Sequence, residues 1–314
     1  MGASISAAVV LAAVPILSTA VSVGAPAAIG ERRGKPFWVA LAAECSVPAG
    51  ETAFGLVSEA VSFLGHADSF WRDEVGYGVV ASCVYQKRLL KPDERRTLVR
   101  QLSENLRRGI GESGTESVLL RTFSALDLSI FAALEDADPV LDAAGYRRLV
   151  DDALAYLRDE RDLRGLEPRL GWIHATAHTA DLLKFLARDT RFTPDDQRRL
   201  QDAAWTKMTA LGTPVFTHAE DERLAAAVLS VVGRSDFDPA LLDPWLARFV
   251  DLEKQVWSKA PPDGSALDAS QNARNLLRSL YVLLSLPGPP GRATGGAEAM
   301  AREKVLATLG ETGR

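Results

Sequence analysis

Apolar residues recur at three- and four-residue spacing through most of the chain from about Lys35 onward, the period of one buried helix face. The run TAFGLVSEAVSFLG (52–65) keeps that spacing, and DSFWRDEVGYGVVASCVYQKRLL follows after a one-turn break. PDERRTLVRQLSENLRRG starts on Pro92 with acids in its first turn and stops at Gly109, as helix-end chemistry prefers. Further helical periods cover about 115–135, 143–160, 171–188, 194–211, 218–232, 239–257 and 265–285. Alternating β-branched runs are absent, and Gly or Pro punctuates the joins. Many helices with short turns between them predict an all-α fold of stacked antiparallel pairs over residues 36–286, without a β-sheet. The array is an α-solenoid (HEAT-like) or a helical toroid. Repeat identity is faint, so the array rests on helix rhythm alone. PGPPGRATGG cannot hold a helix, so 287–296 reads as a linker to a short C-terminal helix and tail, 297–314.

The first thirty residues are a different material. From Met1 to Gly30 no side chain is charged, and Ala, Val and Ser dominate. The apolar run followed by Ala25-Pro26-Ala27 reads as a signal peptide over 1–27, with 28–35 as a linker, and implies an exported protein. No Lys or Arg precedes the run, so two alternatives stay open: an uncleaved weak anchor, the one route to membrane contact, and a misassigned start that leaves the protein cytoplasmic.

Composition narrows the partners. Of 314 residues, 47% are hydrophobic and 25% charged, which suits a soluble chain with a substantial core. The net charge is −5, and the basic pairs (Arg95–Arg96, Arg107–Arg108, Arg147–Arg148, Arg198–Arg199) each sit beside acids. No basic stripe is present, so nucleic acid is not an expected partner. Cys45 and Cys83 are too few for a disulfide framework, and the sequence leaves their pairing open.

One stretch departs from ordinary helix: GWIHATAHTADLLKFLARD (171–189). At about 100° per residue, His174, His178 and Asp181 fall within roughly 60° of one another, with Phe185 and Arg188 continuing that face. The apolar stripe (Trp172, Ala175, Leu182, Leu183, Leu186) points elsewhere. Upstream, RDERDLRGLEPRLG places Glu160 at a helix end and Arg161, Asp162 and Arg164 in a turn. In SVLLRTFSALDLS, Arg121 shares a face with Ser117, Ser124 and Leu128, and THAEDERLA starts a helix with His218, Glu220, Asp221 and Arg223. Arg121, Asp162, Arg164, His174, His178, Asp181, Asp221 and Arg223 are therefore expected to converge in one polar cluster.

Three uses of that cluster compete. His174 and His178 at i, i+4, with Asp181 and an acid from Glu220 or Asp221, would bind a divalent metal. A structural network would instead join adjacent repeats, each arginine pairing with Asp162, Asp181 or Asp221. A pocket without metal would let Arg121 and Arg164 hold an anion while a histidine handles protons. No Ser–His–Asp order, phosphate loop or nucleophile elbow is present, and no motif calls for a cofactor other than that metal. Local roles account for other residues. Thr217 and Glu220 read as a capping box, Asp68 and Arg72 as turn caps, and Asp73 as favourable first-turn charge. His66 reads as solvated, and Trp71, Trp172, Trp205, Trp245 and Trp257 as core.

SVLLRTFSALDL, ERDLRGLEPRLGWIHATAHTADLL and AEDERLA together resemble the bacterial family catalogued as domain of unknown function 2785, over roughly residues 50–250. The resemblance implies an all-helical domain, supplies no established activity, and leaves the N-terminal extension uncovered. The functional expectation is a helical-repeat protein that binds a protein partner or small ligand on a polar concave face. The alternative is a metal-dependent or acid–base hydrolase-type enzyme using the His174/His178/Asp181 row.

Overall fold

The computed structural model of the chain describes residues 33–287 and 295–313. The expected signal segment 1–27, the first part of the linker and most of 287–296 lie outside the described residues. Short helices α1 (Lys35–Glu44) and α2 (Ala53–Val61) open the fold. Gly78–Val80 (α3) follows, flanked without a break by π-helical Phe70–Tyr77 and Ala81–Gln86. The array proper is α4 (Pro92–Asn105), α5 (Ser117–Glu135), α6 (Ala143–Asp159), α7 (Ala175–Leu186), α8 (Pro194–Thr209), α9 (Glu220–Val232), α10 (Leu242–Val256), α11 (Gly264–Ser285) and α12 (Gly296–Thr312).

The termini of these helices are written locally. Thr52 Oγ1 accepts from the Gly55 N–H, Asp142 from Gly145 and Asp263 from Ala266. Thr193 and Asp196 cap α8 reciprocally, with Pro194 in the first turn. Each satisfies backbone donors that a helix start leaves without intrahelical acceptors.

The packing is a stack. α5, α7, α9 and α11 lie side by side in chain order, while α4, α6, α8 and α10 each pack on the odd-numbered helix that follows. α12 packs on α10 and α11, so the C-terminal helix is part of the array, and longer than the sequence rhythm suggested. Among the described residues no extensive packing joins the first helices to the last, as an open array requires. α5 is largely enclosed. By length and composition it is apolar enough to cross a membrane, but 78% of its most apolar stretch is buried within the fold, which makes it a core helix.

Cys45 and Cys83 form a disulfide, with Cα atoms 5.2 Å apart, and so tie the end of α1 to the second π-helical stretch. The sequence left that pairing open.

Four local readings need correction. A two-stranded antiparallel hairpin, β1 (Leu166–Glu167) with β2 (Gly171–Trp172), stands where no sheet was expected. The helical period from 171 overshoots because Gly171 (φ 74) and His174 (φ 56) are left-handed; α7 therefore starts at Ala175. Ala219 (φ 66) likewise delays α9 to Glu220, so the Thr217–Glu220 capping box does not form. Trp172 and Trp257 are not core: they are 41% and 51% exposed.

Candidate functional site

The turn after α6 carries the densest polar network. Glu160 ends α6 in extended conformation, and its carboxylate accepts from the backbone N–H of Arg161 and Asp162 at 2.8 and 2.9 Å. Arg121 reaches that carboxylate from α5, Nε donating at 2.6 Å and Nη2 at 3.2 Å. Its remaining N–H groups donate to the Arg108 carbonyl, the Ser117 hydroxyl and the Glu112 carbonyl. Every donor of the buried guanidinium is thereby engaged. Gly109 (φ 67) leaves the space for it, since a Cβ there would stand 3.0 Å from Arg121 Nη1. Arg121 pairs with Glu160, then, and not with Asp162, Asp181 or Asp221 as expected. Asp162 takes Arg164, through Nε at 2.9 Å and Nη2 at 2.6 Å, and also accepts from the Gly114 N–H. Burial alone would raise the Asp162 pKa; the hydrogen bonds from Arg164 and Gly114 outweigh it and hold the carboxyl below its usual range. Arg164 Nη2 also donates to the Thr115 carbonyl, so the α6–α7 turn is clamped onto the α4–α5 turn.

The histidines form a second tie. Thr122, next to Arg121, donates its hydroxyl to the Ile173 carbonyl at 2.6 Å and lies 2.9 Å from His178 Nδ1. A hydroxyl has one proton, so His178 is the donor in that contact and carries its hydrogen on Nδ1. Burial first, and the neighbouring His174 second, push the His178 pKa down to about 3. His174, at the cap of α7, is not on the helical face of His178. Its ring nevertheless lies 5.7 Å from His178 and stacks on Trp172 at 4.8 Å. His174 Nε2 donates to the His218 carbonyl at 2.6 Å, with Glu220 at 3.6 Å. Burial lowers its pKa against the opposing pull of those two groups. His218 in turn packs on Gly165, where a Cβ would stand 2.4 Å from Nδ1; no other residue fits. Both histidines of the row are neutral at neutral pH.

Asp181 makes a third tie, held between Lys184 at 2.7 Å and Arg223 of α9. Asp221 makes a fourth, accepting from Ser279 of α11 at 2.7 Å. The eight residues singled out by sequence are thus distributed over four ties between neighbouring repeats, and no hydrogen bond joins Arg121 to the histidines. Among the described residues no group of three or more His, Cys, Asp or Glu side chains is placed to hold a metal ion, and His174, His178 and Asp181 are engaged elsewhere.

Several buried groups escaped sequence reasoning. Arg72 caps its turn as expected, donating to the His66 carbonyl at 3.0 Å, but it is fully buried and does more than that. It lies over the Phe123 ring at 4.7 Å and donates to the Leu170 carbonyl at 2.6 Å, fixing the hairpin from 98 residues away. Asp73 beside it is raised to about 6, burial outweighing the Arg72 charge. Asp127 on α5 is fully buried, and neither carboxylate oxygen has a hydrogen-bond partner. Burial raises its pKa well above the carboxylate range, so the folded protein keeps a proton there. The unfolded chain gives that proton up above about pH 4. Stability is therefore fully present below that pH and falls as pH rises, by about 1.4 kcal/mol per unit, until the folded-state value is passed. Asp127→Asn is expected to remove that slope. Thermal melts of both proteins from pH 5 to 8 check it, and parallel curves would refute the burial argument.

The family model described as a protein of unknown function (DUF2785) matches residues 106–282, which starts later and ends later than the span the signature segments suggested. That match takes in all four ties. No curated protein and no solved structure matches the chain.

Proposed function

The chain belongs to the DUF2785 family, and on that premise we propose that it is a helical-repeat binding protein whose signature polar residues build the frame. One observation carries this reading: the polar side chains of the signature segments are bonded across neighbouring repeats. A fully satisfied buried network fixes how elements stack. A hydrolase-type role would need His174 or His178 to exchange protons with a substrate, whereas each ring is engaged in an internal hydrogen bond. The binding face we assign is the outward side of α7, α9 and α11. There Arg188, Glu222, Arg223 and Arg278 are exposed in mixed charge, fitted to a polar protein or small ligand. The Cys45–Cys83 bond supports the exported location, since such bonds persist in oxidising compartments.

The test is His178→Ala. Loss of the ring leaves a cavity beside Phe123 and strips Thr122 of its donor, so stability falls by about 2–3 kcal/mol. Metal content by mass spectrometry stays unchanged. Catalytic residues are commonly neutral or stabilising to replace, so an unchanged or raised Tm sinks the frame reading.

A further inference from the structure

The strongest unexplained feature lies in the other layer. A groove between α6, α8 and the turns that follow them encloses about 580 Å³, within the range that holds small ligands. Leu154, Leu163 and Leu211 supply apolar wall, and Leu211 is left 80% exposed. Lys207 lines the groove although only 8% exposed. Its ammonium donates one bond, to the Glu160 carbonyl at 3.0 Å, and among the described residues no carboxylate stands within ion-pair distance.

The acids nearby are already engaged. The Glu160 carboxylate is held by Arg121, Asp159, the other acid whose charge reaches Lys207, is paired with Arg158, and Asp202 is held by Arg198 and Arg248. A buried cation without a counter-charge is unfavourable, and two of its three N–H donors remain to be used. Burial lowers its pKa to about 8, which still leaves the group mainly protonated at neutral pH. Arg158 and Arg199, which also line the groove, are paired with Asp159 and with Asp151 and Asp196. The buried ammonium beside leucine walls, with exposed Arg161 also in the lining, matches an anion that carries a hydrocarbon body.

We propose that this groove binds an organic monocarboxylate, its carboxylate on Lys207 Nζ and its apolar chain along Leu154, Leu163 and Leu211. The groove is a site separate from the face assigned above, so the proposal goes beyond that reading. His178 lies in the other layer, so failure at the groove leaves the His178→Ala result standing, and the reverse holds too.

Isothermal titration of the full chain at pH 7 with octanoate, 1-octanol and inorganic phosphate tests it. Octanoate is expected to bind at least about tenfold more tightly than octanol, and Lys207→Met to abolish that difference. Equal affinity for octanoate and octanol, tighter binding of phosphate, an unaltered Lys207→Met variant, or no saturable heat each overturns the site. If Lys207→Met does not fold, acetylation of the unmodified chain by acetic anhydride decides. Selective shielding of Lys207 by octanoate, with Lys184 and Lys254 labelled as before, supports the site; equal labelling of all three overturns it.

Discussion

Arg121→Met is expected to lower stability by about 3–5 kcal/mol, which is a large part of what a domain has. The change removes one half of a buried pair. Glu160 would keep its two backbone N–H donors but lose its counter-charge at a position closed to water, while the Arg108 and Glu112 carbonyls and the Ser117 hydroxyl lose a shared donor. Burial of a charge without its partner dominates the loss. The double variant Arg121→Met with Glu160→Met replaces the pair by apolar groups of similar length and should recover much of it. Urea unfolding of the three chains measures both numbers. A loss under about 1 kcal/mol in the single variant, the figure for an exposed pair, would show that the network is solvated after all.

Breaking the Cys45–Cys83 bond should cost about 4 kcal/mol on the chain-entropy argument, from the sequence separation of 38 between its ends. The loss falls unevenly. α1 is short, buries mainly Trp38 and Leu41, and packs mainly on α3 and the π-helical stretches, so without the bond it is the first element to leave. Melts of the oxidised protein and of a Cys45→Ala, Cys83→Ala variant should differ in Tm, with new proteolytic cuts near residues 33–50 in the variant. Identical melts, with the oxidised state verified by thiol labelling, would remove the bond from the account of stability and with it the support it lends to export.

The helix rhythm was legible because each helix buries one stripe, and a stripe leaves a period in the sequence. Helix starts at Pro92, Thr193–Pro194 and Asp142 were legible for a related reason: capping chemistry is local. The site was legible as a set of segments and not as a geometry. His174 and Ala219 adopt left-handed φ values that their side chains do not announce, so the helical wheel through His174 was drawn over backbone that is not helix. The acceptor of Arg121 was misassigned because Glu160 and Asp162 stand two residues apart in one turn, and which faces α5 depends on that turn's path. Lys207 and Asp127 carried no signal, since a lone charge in a helix is normally solvent-facing. Arg72 could not have been placed, because its partner lies in a hairpin whose strands are two residues each.

The four ties have a mechanical consequence. Each spans one pair of neighbouring repeats: the α4–α5 turn with the α6–α7 turn, α5 with α7, α7 with α9, α9 with α11. The first two join the same pair of repeats and share its load. The α7–α9 and α9–α11 joints follow in series, so a pull on the two ends of the array meets three joints one after another. In a stack coupled only between neighbours, yielding is then sequential, one repeat at a time, and its order is set by the weakest link. Asp181–Arg223, with Arg223 about half exposed to water and salt, is weaker in that sense than Arg121–Glu160, where neither partner is. Under tension the chain would pay out from the α7–α9 joint while the α5 end held its shape.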